Sequence, residues 1–421
     1  MPPWRLLACS AGLGLASVLL LVRNGVYAAM LPVADFGRLN QLLLIASMIA
    51  SFGALGMQLL AQKRLPLLHA QHDVPAANTL MAAALATFLA VLGVLAAALL
   101  AIGVLTDLMR PLEVLALSAF ATAQFVAALC LVDVRSAMQL ERHALYSILR
   151  AAGALAAGCA AVWIARRVDW LLIGEALATA GLGWLALNAA RRAGVLAAVR
   201  SPWELTGAIR DGIHSAGRLL LLYGIMIVLF AADRWAGVVL LDREDYGYYA
   251  LGLTMLIAFD SLQAIATVPA WPLVARGLAG SAYAQTLRRV AIISGAVMLA
   301  GVLLYWPCML ALEAIITRFL PRYVSSIDVM YVVAVAGLLR LCNFFGVYAI
   351  LADMEAVLVR RHALALGTVC LGIAAVFGLM AVPATPVRIG LIAVLVAAVV
   401  LCVDAATALG AMRSKAKVAA A

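Results

Sequence analysis

Charge is what this 421-residue chain has least of: Asp, Glu, Lys and Arg make up 12% of it while 67% is hydrophobic, against roughly a quarter charged in an average soluble domain. Water is therefore the wrong solvent for it. Paired cysteines are missing too. The seven cysteines form no C-x-x-C pair and all fall in or beside apolar runs, which leaves them as small buried hydrophobes. A formal net charge of +10 would suit nucleic acid, but no basic stretch is interleaved with aromatics in a soluble segment, as such a surface needs.

What is present is a run of apolar residues repeated along the whole chain from Leu6 onward. A bilayer core of about 30 Å needs roughly 20 apolar residues per crossing helix. The fold class expected is therefore all-α: a polytopic membrane protein. Breaks at charge clusters and at Pro or Gly place spans near 6–31, 39–60, 77–105, 112–140, 144–166, 168–190, 213–240, 246–275, 287–312, 326–352, 361–382 and 388–411, about 12 in all. No small-x-small cleavage site surrounds Val22 to Gly25, and the apolar stretch follows Cys9 instead of preceding it. The first run is thus expected to stay as helix one.

With both termini cytoplasmic, the inside segments carry sixteen Lys and Arg and the outside loops eight, so the positive-inside rule selects that orientation. The longest polar stretch, 191–212, is read as a cytoplasmic linker between a six-helix bundle over 1–190 and a second over 213–421. Across it the chain repeats itself. Leu31, Asp35, Phe36 and Gly37 recur as Leu241, Asp245, Tyr246 and Gly247, each 210 residues later, in the first outward turn of each half. Six spans per half is even, so the halves share orientation as a parallel repeat; the local alternative is that acid and glycine suit any tight turn.

The stretch YAAMLPVADFGRLNQLLLIASMIASFGALG, closing on Gly53 and Gly56, resembles the first hairpin of the polysaccharide transporters, the lipid-linked oligosaccharide (O-antigen) flippases of the multidrug/oligosaccharidyl-lipid/polysaccharide exporter superfamily. ADRWAGVVLLDREDYGYYALGLTML is similar to that family's Asp-Arg on helix seven, its acidic turn and its Tyr-Gly-x-Tyr. TVPAWPLVARG and FLPRYVSSIDVM resemble its later landmarks. The resemblance covers most of the chain but finds no motif in helices eleven and twelve, and helix eleven offers nothing more polar than Thr368 and Cys370. It implies two pseudo-symmetric six-helix bundles around a central cavity. The function implied is translocation of a polyprenyl-diphosphate-linked oligosaccharide across the bacterial inner membrane by alternating access, for surface polysaccharide biosynthesis. No catalytic residue and no cofactor follow from it, whereas coupling to a proton or sodium gradient stays open. The partners implied are the lipid-linked glycan, membrane lipids, a glycan polymerase and a chain-length regulator.

Arginines inside the spans point to where such a cargo would sit. A charge at mid-bilayer costs about 2.5–3.5 kcal/mol on insertion scales and normally faces a cavity. Arg150 and Arg218 lie within two turns of the cytoplasmic end and are expected to snorkel there, and Arg135 has Asp133 beside it. Arg23, Arg234 and Arg340 lie too deep for that. At 1.5 Å per residue, Arg23 and its repeat counterpart Asp233 sit about 12 Å from the outer boundary, and Arg340 is near the midplane. Guanidinium stays protonated and forks onto phosphate oxygens. Arg23, Arg234 and Arg340, with Asp233, are therefore candidates to line a substrate cavity, against the alternative that they only satisfy other helices. Asp260, Gln263 and Thr267 share one face of helix eight, and Asn343 lies one turn from Arg340. This stripe suits either a sugar passage or interhelical bonding, and Asp260 is also a candidate ion site.

Two rivals follow from the same residues. A membrane glycan polymerase or ligase would need acid, base or arginine groups on a long outward loop. Here the outward loops are short and all five histidines fall on the cytoplasmic side of the expected topology. A drug/cation antiporter of the same superfamily typically carries an acid in helix one, where this chain has Arg23 and no acid before Asp35.

Overall fold

Leucine and alanine, the strongest helix formers, fill the apolar runs, and the chain folds as helices with no strand among the described residues. The computed structural model describes residues 3–106, 110–137, 139–165, 167–192, 202–279, 282–352 and 354–420. By contact the chain divides into two compact units. One comprises the chain to Leu31 with Leu39–Gly224, the other Pro32–Arg38 with Ile225–Ala421. Of the expected 191–212 link, positions 193–201 lie outside the described residues, while 202–212 are the first turns of the helix that starts at Pro202 and 191–192 close the helix that ends at Arg192.

In the first unit run α1 (Pro3–Met30), most of α2 (Val33–Phe52), α3 (Met57–Ala70), α4 (Val74–Thr106), α5 (Pro111–Ser136), α6 (Leu140–Ala165), α7 (Val168–Arg192) and the larger part of α8 (Pro202–Phe230). Its tightest packing is α1 along α6, and α7 along both α5 and α6. In the second unit follow α9 (Ala232–Leu240), α10 (Arg243–Gly252), α11 (Thr254–Ala279), α12 (Tyr283–Phe319), a 3-10 turn (Pro321–Ser326), α13 (Ile327–Leu341), α14 (Phe345–Leu351), α15 (Glu355–Ile373) continued by a π turn (Ala374–Leu379), and α16 (Pro386–Ala420). There α13 packs against α16 and α11.

Ten of these helical stretches are long and apolar enough to cross a membrane, eleven if the bent halves of α8 count as one. The eighth expected span corresponds to α10 with α11. Their outer faces carry Trp163, Ile164, Val239 and Leu379, each more than three-quarters exposed. Acyl chains, not water, are the medium such side chains match. The chain is a multi-pass, all-α membrane protein.

The helices are not interrupted at the prolines of the later spans. α12 runs through Pro307, and α11 spans positions 269 and 272. The breaks lie instead at 53–56, 231, 253 and 342–344. At the first, Leu55 (φ 46°) and Gly56 (φ 80°) adopt left-handed backbone, which only glycine takes without strain. The later breaks leave carbonyls without their usual helical donors, and side chains use them, as described below.

The repeated turn has a structural reason. A Cβ on Gly37 would lie 2.7 Å from the Arg243 carbonyl oxygen, and one on Gly247 would lie 2.3 Å from that of Val33. Arg243 is Val33 plus 210, so each glycine accepts the backbone of the other copy's helix start, and the contact is reciprocal. Phe36 then meets Tyr323 edge-on at 5.9 Å, with Tyr248 on Tyr323 at 6.2 Å. Asp242 accepts from the Asp245 N–H at 2.7 Å and is the cap, while Asp35 and Asp245 stand in the first turn of their helices, where the helix dipole favours a negative charge. Burial, then the Asp242 and Glu244 carboxylates, push the Asp245 carboxyl above its ordinary range.

Since no flexible side chain can yield at these backbone contacts, Gly37→Val or Gly247→Val should each destabilise the purified protein by about 1–3 kcal/mol through overpacking. Thermal unfolding in detergent would show it as a lowered midpoint; unchanged midpoints for both would refute the close contact.

Candidate functional site

Two polar clusters occupy the interiors, one in each unit. In the first, α1 brings Arg23, Asn24 and Tyr27 against Glu175 of α7. Arg23 Nη1 donates to Glu175 Oε2 at 3.0 Å, and its Nε and Nη2 donate to Asn24 Oδ1 at 3.3 and 3.0 Å. The Arg23 side chain is 12% exposed and that of Glu175 0%. The Tyr27 hydroxyl donates to Glu175 Oε1 at 2.7 Å and lies 3.0 Å from the Ala154 carbonyl oxygen. Gly158 of α6 makes this fit, because its Cβ would fall 1.8 Å from the Tyr27 oxygen.

Arg150 joins the same cluster. It was expected to reach the cytoplasmic interface, yet its Nη1 donates to Gln124 at 3.3 Å, within electrostatic reach of Arg23 and Glu175. A charge that finds a polar partner inside has no need to snorkel. Two guanidiniums thus face one carboxylate, leaving an excess positive charge in the interior of the first unit. The Arg218 side chain lies outside the described residues. Asp133 pairs with His69 at 2.8 Å, not with Arg135.

In the second unit the helix breaks supply the partners. Arg340, 6% exposed, donates Nη1 to Asp260 Oδ2 at 3.1 Å and Nη2 to the Phe230 carbonyl at 3.1 Å, at the break before α9. Its guanidinium lies over the Phe230 ring at 4.4 Å, a cation–π contact. Gln263 Nε2 donates to the carbonyls of Arg340 at 2.8 Å and Asn343 at 3.2 Å, at the end of α13. Asn343 Nδ2 in turn donates to Asp404 Oδ2 of α16 at 2.7 Å. Asp260, Gln263, Arg340 and Asn343 thus form one network. Thr267 stands apart, its hydroxyl bonded to the Gln263 carbonyl of its own helix at 2.7 Å.

Asp233 and Arg234 form a separate pair of features on α9. Asp233 is fully buried and its Oδ2 accepts from the Tyr249 hydroxyl. Arg234 makes no ion pair among the described residues, and its Nε is buried without a hydrogen-bond partner. Of the three deep arginines, two therefore carry an internal counter-ion, and Arg234 has none among the described residues.

Sequence reasoning did not single out Glu175, Asp404, Tyr27 or His362. The signal was there for the two acids, since each is a carboxylate inside an apolar span, 168–190 and 388–411. Attention to arginine alone passed over them. Helix eleven, read as holding nothing more polar than Thr368 and Cys370, presents a buried His362 to Asp404.

No family model and no curated protein sequence matches the chain. Solved structures do. A eukaryotic MATE transporter, AtDTX14, superposes at TM-score 0.61 with 12% identity, covering 98% of each chain. An outward-facing multidrug resistance MATE family transporter of the MOP superfamily superposes at 0.57 with 12% identity, over 98% of this chain and 96% of that one. An inward-facing structure so described superposes at 0.58 with 11% identity, over 95% and 94%. At such identities the likeness is one of fold, and it runs nearly end to end.

Removing Glu175 alone strands a buried cation. Glu175→Met should cost about 3–5 kcal/mol, read by thermal unfolding in detergent, and Arg23→Met in the same chain should recover most of it. If the double variant were as unstable as the sum of the singles, the two charges would not be partners.

Proposed function

We propose that this chain is a flippase that moves a polyprenyl-diphosphate-linked oligosaccharide across the bacterial inner membrane by alternating access, with both termini cytoplasmic, for surface polysaccharide biosynthesis. The observation that carries the reading is the excess positive charge in the first unit: helix one offers Arg23, joined by Arg150, against the single carboxylate of Glu175. Phosphate carries charge that bare hydrocarbon rejects, and guanidinium forks onto its oxygens. Arg234, which makes no ion pair among the described residues, and Arg340, whose counter-ion Asp260 is 42% exposed, supply further cations. A diphosphate would displace Asp260 from Arg340, an exchange of one anion for another at little desolvation cost. Gln263 and Asn343 give sugar hydroxyls polar partners. The chain acts as a transporter, without a catalytic residue, alongside a glycan polymerase and a chain-length regulator.

A drug/cation antiporter is the second reading, and Glu175 favours it. A fully buried acid against helix one is a group that could exchange a cation, and the structural neighbours include multidrug transporters by description. The membrane glycan polymerase or ligase has no comparable support.

The two readings part on a measurement. In a strain lacking its own exporter, the wild-type chain should restore surface glycan without raising ethidium efflux. Arg23→Ala, Arg234→Ala and Arg340→Ala should each lower export at least tenfold at matched membrane levels. Full export by all three, or efflux of ethidium without export, would end the flippase reading.

A further inference from the structure

The geometry points to a one-proton binding site formed by His362 of α15 and Asp404 of α16, linked through Asn343 and Gln263 to the Arg340–Asp260 pair. Both side chains are buried, at 1% and 4% exposure. His362 Nδ1 lies 2.9 Å from the Leu358 carbonyl oxygen, and a carbonyl only accepts, so Nδ1 carries hydrogen. Nε2 then faces Asp404 Oδ1 at 3.2 Å. A bare imidazole nitrogen and a bare carboxylate oxygen are both acceptors and would repel at that distance. One further proton, on the ring or on the carboxyl, removes that repulsion. Occupied, the pair is neutral overall; emptied, it leaves an uncompensated negative charge in a dry interior, which is strongly disfavoured. Nε2 and Oδ1 stand 3.2 Å apart without the alignment of a hydrogen bond, so the proton resides on one partner and is not shared between the two.

The surroundings supply no substitute for that proton. Among the described residues, the helices that pack most on α15 are α9, α14 and α16. On α9, Asp233 is taken by Tyr249 and Arg234 makes no ion pair among the described residues; on α14, the Tyr348 hydroxyl donates to the Tyr283 carbonyl. Arg361, next to the histidine, donates to Thr407 of α16 at 2.9 Å, and Arg360 is exposed. Asp404 is the one ionisable group set against the ring among the described residues.

The pair communicates through its other oxygen. Asp404 Oδ2 accepts from Asn343, whose backbone shares Gln263 with Arg340, whose guanidinium holds the half-exposed Asp260. Gly346 leaves room for this arrangement, because a Cβ there would lie 2.8 Å from Oδ2. When the proton leaves, Asp404 pulls harder on Asn343 and so on the end of α13 that positions Arg340. Proton occupancy would thereby set how firmly Arg340 holds Asp260. In assigning a use to the site this rests on the transporter reading; the site itself does not.

The test uses the full chain in detergent, with nitrogen-15 histidine for magnetic resonance and infrared spectroscopy for the carboxyl stretch. At about pH 7, one of two signals should be present, an imidazolium at His362 or a protonated carboxyl at Asp404, and Asp404→Asn should abolish either. Asn343→Leu should move the pH at which the signal disappears by about one unit. His362→Gln identifies the resonance; should that variant not fold, a chain retaining only His362 and carrying Gln at His69, His72, His143 and His214 identifies it instead. A neutral imidazole beside an ionised carboxylate would overturn the site, and an unmoved midpoint in Asn343→Leu would overturn the link. These signals need neither cargo nor gradient. Their loss leaves the flippase reading standing, while failure of glycan export leaves the proton site standing.

Discussion

A guanidinium taken out of water must be given an anion or a set of carbonyls, and the interior of each unit is organised around that demand. The first meets it with a carboxylate carried on another helix, Glu175 for Arg23. The second meets it with broken helices: the end of α8 offers the Phe230 carbonyl to Arg340, and the end of α13 offers two carbonyls to Gln263. Irregular backbone at membrane depth is tolerated where protein groups satisfy it. The breaks that might be taken for defects are what allow a cation and an amide to live there.

Much of the architecture was legible beforehand because bilayer thickness imposes a ruler on the sequence. A run of about 20 apolar residues reads as a span regardless of its neighbours, and helices lie under each of the twelve stretches so identified. Breaks within spans were harder, because they do not fall at the prolines, which the helices pass through. The actual break at 53–56 depends on Gly56 and Leu55 turning left-handed against neighbouring helices, a tertiary outcome that local propensity does not encode.

The candidate site divides in the same way. Arg23, Arg340, Asp260, Gln263 and Asn343 stand out because each is polar where lipid would surround it. Which of them meet is set by helix packing, and the pairing of Arg340 with Asp260 joins residues 80 positions apart. Glu175 and Asp404 were legible as buried acids but carried no motif. Arg150 was misjudged because its depth favoured the interface while its partner, Gln124, lay on another helix.

The reciprocal contact of Gly37 with Arg243 and of Gly247 with Val33 has a mechanical consequence. A contact in which i meets j while j meets i is how identical subunits associate about a two-fold axis. Because each glycine meets the backbone at the start of the other turn, a side chain at either position pushes on both helix starts at once, and neither turn can change shape alone.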